Sequence, residues 1–144
     1  MIYDENEDLG DHRSAMIRFS SELALGRPIE VHRGSERSWL HISDAVRAIE
    51  AATRVREYST INIGHPDVVP IWRLAEMIRS ELGASPALVR ELDLPPRMTS
   101  SKRPAIERQR ILLGVEPKVS LADGVARVCR RVRERLQLAG RLGA

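Results

Sequence analysis

The sequence predicts an α/β fold in which helices alternate with a few short strands. Three observations support this prediction. Apolar residues recur at helical spacing in five segments, and glycine or proline marks most of the segment ends. Short runs rich in β-branched residues lie between the helices. The 144 residues suit one domain, and because only 3% of them are aromatic, we expect an aliphatic core.

In the first third of the chain, capping residues and glycines set the predicted boundaries. Residues 1–13 are acidic and contain a glycine, which favours an N-terminal loop, and Gly26 is placed to stop the first helix. Ser43 precedes an apolar helical face and is the predicted N-cap, with Asp44 in the first turn. The predicted elements are the loop at 1–13, a helix at 14–25, strands at 28–33 and 38–42, and a helix from Ser43 to Ala52.

The remaining elements follow from the same rules. The run 59–64 is β-branched and ends on Gly64, which predicts a strand. Pro70 stands where a first helical position is expected, and Gly83 closes that helix. Ser120 and Asp123 resemble a capping box. The predicted elements are strands at 59–64 and 87–92, a helix from Pro70 to Leu82, a loop at 93–103, a helix from Pro104 to Gly114, a final amphipathic helix from Ser120, and a frayed tail at 139–144.

The predicted strands are short and few for an independent parallel sheet. Four strands of about five residues would be more stable if strands from elsewhere completed the sheet. We therefore expect one domain spanning 1–144 that presents a sheet edge or an apolar face to something else.

Charge and cysteine content narrow the classes of protein. The net charge is only +3 although the pI is 9.6, and acidic residues are interspersed with the arginines, so a nucleic-acid-binding arm is disfavoured. Cys129 is alone, which excludes a disulfide within the chain. The sequence has no apolar run of the ~20 residues that cross a membrane. It also has no basic and apolar leader, so we expect a cytoplasmic protein that is not inserted in a membrane.

Several catalytic motifs are missing from these 144 residues. No three glycines have the close spacing of a dinucleotide-binding turn, and there is no P-loop. Neither tyrosine has a lysine four positions later, since Tyr3 leads to Glu7 and Tyr58 to Asn62. The four histidines do not cluster at metal-ligand spacing. We therefore expect no catalytic residue, no cofactor site and no metal site in this stretch.

The positive signal is an ordered series of segments. It consists of Gly26-Arg-Pro-Ile-Glu-Val-His, Arg37-Ser-Trp-Leu-His-Ile-Ser-Asp, Ile61-Asn-Ile-Gly, a loop with Arg97, and Leu112-Leu-Gly-Val-Glu-Pro-Lys-Val-Ser-Leu. In order and spacing this series resembles the C-terminal, substrate-binding region of the NAD-dependent epimerase/dehydratase family, the extended short-chain dehydrogenases that act on nucleotide sugars. The resemblance runs from about Tyr3 to about Arg135.

The resemblance implies that two parts of such an enzyme have different functions. In the family, an N-terminal Rossmann half binds NAD(P) and carries a Tyr-x-x-x-Lys pair, while the C-terminal region grips the nucleotide and its diphosphate. This chain would then be the substrate-side portion of a Rossmann-type enzyme, without the dinucleotide-binding half. Its ligand would be a UDP-, dTDP- or GDP-linked sugar. The sequence departs from the family at Tyr3-Asp-Glu, where many members have Tyr-Gly-Pro.

Two arginines are the implied phosphate ligands. Arg37 matches the family arginine that contacts the diphosphate, and a planar, permanently charged guanidinium suits phosphate oxygens. A surface arginine that pairs with Glu36 or Asp44 is the alternative. Arg97 matches the arginine of a late Arg-Pro loop, although methionine replaces the proline, and it is equally consistent with an exposed loop cation. Lys102 and Arg103 are alternative ligands in the same loop.

Two strand residues are the implied contacts to the nucleotide base. His32 aligns with a position that is often aromatic, so its imidazole could stack on the base, and a half-solvated strand histidine is an equally good account. Val31 could lend backbone groups to the base, but core packing explains it better. His41 and Asp44, which belong to the family's His-x-x-Asp segment, are expected to be structural.

Three functions remain open at this stage. The first is the nucleotide-sugar-binding part of an epimerase or dehydratase, which requires a Rossmann-half partner chain or self-association to cover its exposed faces. The chain is also consistent with a non-catalytic nucleotide-sugar-binding module. A nucleic-acid-binding protein is the least favoured, because aromatic residues for stacking are few.

Overall fold

The computed structural model describes residues 1–10 and 13–142 of the chain and has the predicted α/β architecture. Its elements in order are β1 (Ile2–Tyr3), α1 (Ala15–Ala24), β2 (Ile29–His32), β3 (Glu36–Ser38), β4 (Leu40–His41), α2 (Ile42–Ala52), β5 (Val68–Pro70), α3 (Ile71–Leu82), a 3-10 turn (Pro86–Leu88), β6 (Val89–Leu92), β7 (Ser101–Lys102), α4 (Glu107–Leu113) and α5 (Leu121–Leu138).

The strands form three small sheets. Strands β1 and β4 pair in parallel, as do β2 and β6. In the third sheet β3 is central, antiparallel to β5 and parallel to β7. No sheet among the described residues exceeds three strands. Sheets this narrow gain little stability alone, so the helices must supply most of the buried apolar area.

The core lies between α1, α3 and α5, with β2 and β6 along one side. Its side chains are mainly aliphatic, as the composition predicts, and Phe19 and Trp39 join them. Met16, Ile17, Leu74, Ile78 and Val128 are completely buried. Leu, Ile and Val side chains from three helices therefore fill most of the core, with few aromatic rings among them.

Most predicted helix ends are confirmed. Ser14 caps α1, since its hydroxyl accepts a hydrogen bond from the Ile17 N–H at 3.4 Å. Ser120 caps α5 in the same way, at 3.1 Å from the Asp123 N–H. Gly83 and Gly114 end their helices with φ of 63°, the left-handed conformation that glycine adopts without strain. These local signals act within one turn of chain, which is why the sequence reveals them.

The predicted strand at 59–64 is wrong. These residues are outside any strand, and β5 lies further along, at Val68–Pro70. The physical reason is pairing. β5 finds a partner in β3, with Arg37 opposite Val69, whereas no described strand pairs with 59–64. Pro70 consequently ends a strand and precedes α3, in place of the first helical position expected for it.

Smaller corrections follow from long-range pairing. The strand predicted at 38–42 is divided at Trp39 into β3 and β4. The N-cap of α2 is His41, whose ring Nδ1 accepts from the Ser43 N–H at 3.2 Å, and not Ser43 itself. The 1–13 loop contains β1, and the 93–103 loop contains β7.

The remaining boundaries differ by a few residues. α4 begins three residues after Pro104, at Glu107. At the other end of the chain, Gly140 has φ of 65° and Leu142 packs on the core. Fraying of 139–144 stays a prediction, and residues 11–12 and 143–144 lie outside the described part of the chain.

Candidate functional site

Two cationic side chains lie next to each other on the small sheet of β3, β5 and β7. Arg37 is the middle residue of β3, and its direct partner across the parallel pair is Lys102 of β7. Residues directly opposite in adjacent strands project from the same face of a sheet. The structure thus places Arg37, the first predicted phosphate ligand, beside Lys102, which the sequence offered as an alternative.

The Arg37 guanidinium is hydrogen-bonded to the loop that precedes β7. Its Nη1 donates to the carbonyl oxygens of Glu36 at 2.7 Å and Ser100 at 3.1 Å, and its Nη2 donates to the Thr99 carbonyl at 2.8 Å. The suggested pairing with the carboxylate of Glu36 or Asp44 is absent from these contacts. Arg37 therefore fixes the position of the loop that carries Arg97.

The carboxylate of Glu36 has other partners. It accepts from the Ser101 hydroxyl at 2.8 Å and lies 4.0 Å from the Arg103 guanidinium. Since Arg103 is drawn towards Glu36, the positive charges that remain available near the loop belong to Arg37, Lys102 and the exposed Arg97. This concentration of charge is suited to an anion with several oxygen atoms.

The two predicted base contacts lie in β2. Val31 is completely buried, so its side chain belongs to the core, and its backbone is paired with Glu91 of β6. His32 is half-buried opposite Leu92, at the end of β2. The turn at Arg33-Gly34 connects this strand to β3 and Arg37, which places His32 and Arg37 on consecutive strands.

A buried polar cluster lies around His41, the last residue of β4. The Nε2 of His41 is 2.8 Å from the Glu5 carboxylate, while its Nδ1 accepts from the Ser43 N–H. The ring therefore carries its proton on Nε2 and donates it to Glu5. Tyr3 packs edge-on against the imidazole at 5.4 Å, and its own pKa is raised to about 12 by burial and then by the charge of Asp44.

Asp44 holds α2 to the segment before α5. Its side chain is 2% exposed and accepts a hydrogen bond from the Arg47 guanidinium. It also accepts from the backbone N–H groups of Lys118 and Val119, and these two bonds are 3.0 Å long. Burial acts to raise the pKa of Asp44, but the hydrogen bonds outweigh burial and lower it. The expected structural role of His41 and Asp44 fits these contacts.

The contact between Glu5 and His41 was not predicted from the sequence. Glu5 lies 36 residues from His41, and only the pairing of Tyr3 with His41 in β1 and β4 brings them together. The signal in the sequence is the strand-like pair Ile2-Tyr3, but the acidic composition of residues 1–13 favours a loop there.

Neither a metal-binding cluster nor a membrane-spanning helix is found within residues 1–10 and 13–142. No cluster of three histidine, cysteine, aspartate or glutamate residues there has a geometry suited to a metal ion. Likewise, no helix in that part of the chain is long and apolar enough to cross a bilayer.

Comparisons with curated proteins identify enzymes of nucleotide-sugar metabolism. The chain is 37% identical over 93 residues to dTDP-glucose 4,6-dehydratase of Streptomyces griseus, covering 62% of this chain and 28% of that enzyme. It is 26% identical over 117 residues to UDP-glucuronic acid decarboxylase 6 of Arabidopsis thaliana, covering 80% and 34%. The chain thus spans about a third of these relatives. No family profile matches it.

Comparisons with solved structures agree on the fold. UDP-glucose 4-epimerase of Thermotoga maritima, solved with UDP-glucose, superposes with a TM-score of 0.85 at 20% identity, covering 94% of this chain and 44% of that enzyme. UDP-glucuronic acid 4-epimerase of Bacillus cereus, solved with UDP-glucuronic acid and NAD, gives 0.75 at 24% identity, covering 85% and 40%. The chain therefore shares the fold of the matching portion of these two enzymes, which is less than half the length of each.

Proposed function

We infer the function of this chain from its kinship with the NAD-dependent epimerases and dehydratases of the extended short-chain dehydrogenase family, whose C-terminal region it resembles. We propose that it is the part of such an enzyme that binds the nucleotide sugar and grips its diphosphate. The observation that carries this proposal is the position of Arg37 beside Lys102, next to the loop of Arg97.

The geometry favours a diphosphate for a physical reason. Arg37 offers a planar set of donors that matches two phosphate oxygens, and Lys102 adds a point charge on the same face. Arg37 donates to the carbonyls of Thr99 and Ser100. A diphosphate would compete with these neutral acceptors, and its charge makes it the stronger partner. The loop with Arg97 would then be free to close on the ligand.

We assign hydride transfer to another part of the proposed enzyme, outside this stretch of chain. The described residues provide no glycine-rich turn between a strand and a helix in which NAD(P) could be cradled, and the printed sequence has no Tyr-x-x-x-Lys pair. NAD(P) therefore does not fit this stretch of chain. In a complete enzyme it would be held by a Rossmann half.

An exposed apolar surface supports the need for that half. We call it the α2–α4 face, and it consists of Val46 and Ile49, each 54% exposed, with Ile111 at 79% and Leu112 at 46%. The two helices that carry these side chains pack against each other. Exposed apolar side chains on neighbouring elements mark contact surfaces or aggregation sites. We propose that a Rossmann half covers this face and that the isolated chain self-associates through it.

The diphosphate grip is testable by calorimetry. We expect the 144-residue chain to bind UDP-glucose, UDP-glucuronic acid or dTDP-glucose, and both Arg37→Gln and Lys102→Gln to weaken that binding by at least about tenfold. The reason is that each removes a charged contact to phosphate, which contributes about 1.5–3 kcal/mol. Arg56→Gln, an exposed arginine outside the site, is the matched control.

The two variants separate binding from loop structure. Arg37→Gln also removes the contacts to residues 99 and 100, whereas no side-chain contact of Lys102 to the described residues is lost in Lys102→Gln. Binding that survives both substitutions would refute the assignment of the site. A folded chain that gives no heat with any of the three nucleotide sugars would refute the proposed function itself.

Self-association is expected in analytical ultracentrifugation of the isolated chain. We expect Ile49→Glu and Ile111→Glu to shift the chain towards monomer, because each places a charge within the α2–α4 face. Leu138→Glu changes an equally exposed side chain, 87% accessible, on α5 and should have no effect. A wild-type chain that is monomeric at every concentration would contradict the prediction.

A further inference from the structure

The position of Lys102 beside Arg37 depends on a very short strand. β7 consists of two residues, Ser101 and Lys102, and both are exposed. Successive side chains of a strand project from opposite faces, so a shift of β7 by one residue would place Arg103 opposite Arg37 in place of Lys102. A buried apolar face fixes the register of most strands, and β7 has no such face. Another contact must therefore determine which cation lies beside Arg37.

The contacts to the backbone of β7 and its preceding loop do not distinguish the two registers. The Glu36 N–H donates to the Ser100 carbonyl at 2.7 Å, and the Arg37 guanidinium donates to the carbonyls of Thr99 and Ser100. Every residue carries a carbonyl group, so equivalent acceptors would be present after a shift of one residue. The choice between the two registers consequently depends on side chains.

One hydrogen bond joins a side chain of β3 to a side chain of β7 in the described part of the chain. The Ser101 hydroxyl donates to the Glu36 carboxylate at 2.8 Å, and the two residues are direct partners in the strand pair. A shift that brought Lys102 opposite Glu36 would break this bond, because Ser101 would leave the face from which Glu36 projects. Hydrogen bonds to an ionised acceptor are stronger than those between neutral groups. The bond thus favours the observed register.

Glu36 also keeps the two neighbouring cations apart. Arg103 follows β7 directly, and its guanidinium lies 4.0 Å from the Glu36 carboxylate, which also accepts from Ser101. Lys102 projects from the other face, with Arg37. Glu36 therefore attracts Arg103 to its own face and leaves Lys102 on the face of Arg37.

We propose that Glu36 is a positioning residue of the diphosphate grip, which fixes the register of β7 through Ser101 and so selects Lys102 over Arg103 as the second phosphate ligand. The inference rests on the proposed function for the identity of the ligand, whereas the register exists without a ligand. Glu36 itself does not contact the phosphate. Without its carboxylate, Lys102 and Arg103 would compete for the place beside Arg37.

Disulfide trapping measures the register without a ligand. Arg37→Cys is combined with Lys102→Cys or with Arg103→Cys, since direct partners across a strand pair lie within disulfide distance. We expect the 37–102 disulfide to form at least about tenfold faster than the 37–103 disulfide, which is the order expected from one hydrogen bond to a charged group. Glu36→Ala should reduce this preference to less than about threefold. A preference that is unchanged in Glu36→Ala would overturn the proposal. Cys129 is buried and does not compete.

Three variants separate the hydrogen bond from the charge of Glu36. Ser101→Ala removes the donor and should abolish the preference, as Glu36→Ala does. Glu36→Gln retains an oxygen that can accept from Ser101, so the preference should persist. Glu57→Ala, which removes an exposed carboxylate after α2, is the matched control and should have no effect. A preference that survives Ser101→Ala would overturn the proposed role of the Glu36–Ser101 bond.

Calorimetry with UDP-glucose tests the consequence for binding. In the otherwise unchanged chain, Lys102→Gln should weaken binding at least about tenfold and Arg103→Gln less than about threefold. In the Glu36→Ala background, the effects of these two substitutions should lie within about threefold of each other, because either cation can then lie beside Arg37. A merely structural role of Glu36 would weaken binding but preserve the stronger dependence on Lys102, and that result would overturn the proposal. If no nucleotide sugar binds the wild-type chain, the proposed function fails, while the disulfide rates still decide whether Glu36 fixes the register.

Discussion

Replacement of Asp44 by alanine is expected to lower the free energy of unfolding by about 3–5 kcal/mol. The carboxylate is 2% exposed and serves three donors, the Arg47 guanidinium and the N–H groups of Lys118 and Val119. Its removal leaves two backbone donors without partners and a cation without its counter-charge. Urea unfolding followed by circular dichroism measures the loss.

A matched control distinguishes this effect from the mere loss of a negative charge. Asp93 is exposed in the loop after β6, and Asp93→Ala should change the free energy of unfolding by less than about 0.5 kcal/mol. If both variants unfold at the same urea concentration, Asp44 does not hold α2 to the segment before α5, and the hydrogen bonds described above are not stabilising.

The pH dependence of the same residue has a definite sign. The pKa of Asp44 in the folded protein lies below its ordinary value of 3.8, so the folded state binds the proton less readily than the unfolded state. The ionised carboxylate therefore contributes its full stability above about pH 4, and this contribution is lost as the pH falls through the lower, folded pKa. Asp44→Asn should be less stable than wild type at pH 7, and the difference should shrink at pH 3. A difference that stays constant would contradict the assignment.

What the sequence reveals depends on how far apart the interacting residues are. Ser14, Gly83, Gly114 and Ser120 act on atoms within one helical turn, so they predict helix ends well. A strand is stable only when it pairs with a neighbouring strand, and the composition of a segment does not identify that neighbour. Residues 59–64 have the composition of a strand but no neighbour, whereas Val68–Pro70 has a neighbour in β3.

The candidate site shows the same limit. The place of Arg37 in the series of motifs predicts it as a phosphate ligand, and Lys102 is an alternative ligand because it lies in the loop of Arg97. The contacts of Arg37 with the carbonyls of residues 99 and 100, more than 60 positions away, could not be read from the sequence. They matter because they connect the predicted phosphate ligand to the loop of Arg97, which gives the site a way to respond to a ligand.

Gly124→Ala is the second substitution with a large expected effect. Gly124 is in the first turns of α5, and a Cβ built there would lie 1.8 Å from the Tyr3 hydroxyl oxygen and 2.6 Å from Cζ. Tyr3 is 2% exposed and is held between Trp39 and His41, so its ring has little freedom to move. Alanine normally stabilises a helix interior by about 0.5–1 kcal/mol relative to glycine. Here overpacking at the upper end of its usual cost of about 1–3 kcal/mol should reverse the sign, for a net cost of about 2 kcal/mol.

The clash with Tyr3 can be isolated by a double-mutant cycle. Tyr3→Leu removes the aromatic ring and opens space next to residue 124, so Gly124→Ala should cost much less in the Tyr3→Leu background than in the wild type. Thermal unfolding of the four proteins gives the coupling, and Arg130→Ala, an exposed change on the same helix, controls for helix propensity. Equal costs of Gly124→Ala in both backgrounds would mean that Tyr3 is not the obstacle. A strong coupling would instead show that the close approach of β1 and α5 requires glycine, and that the Tyr3 and Gly124 positions, 121 residues apart, specify one contact.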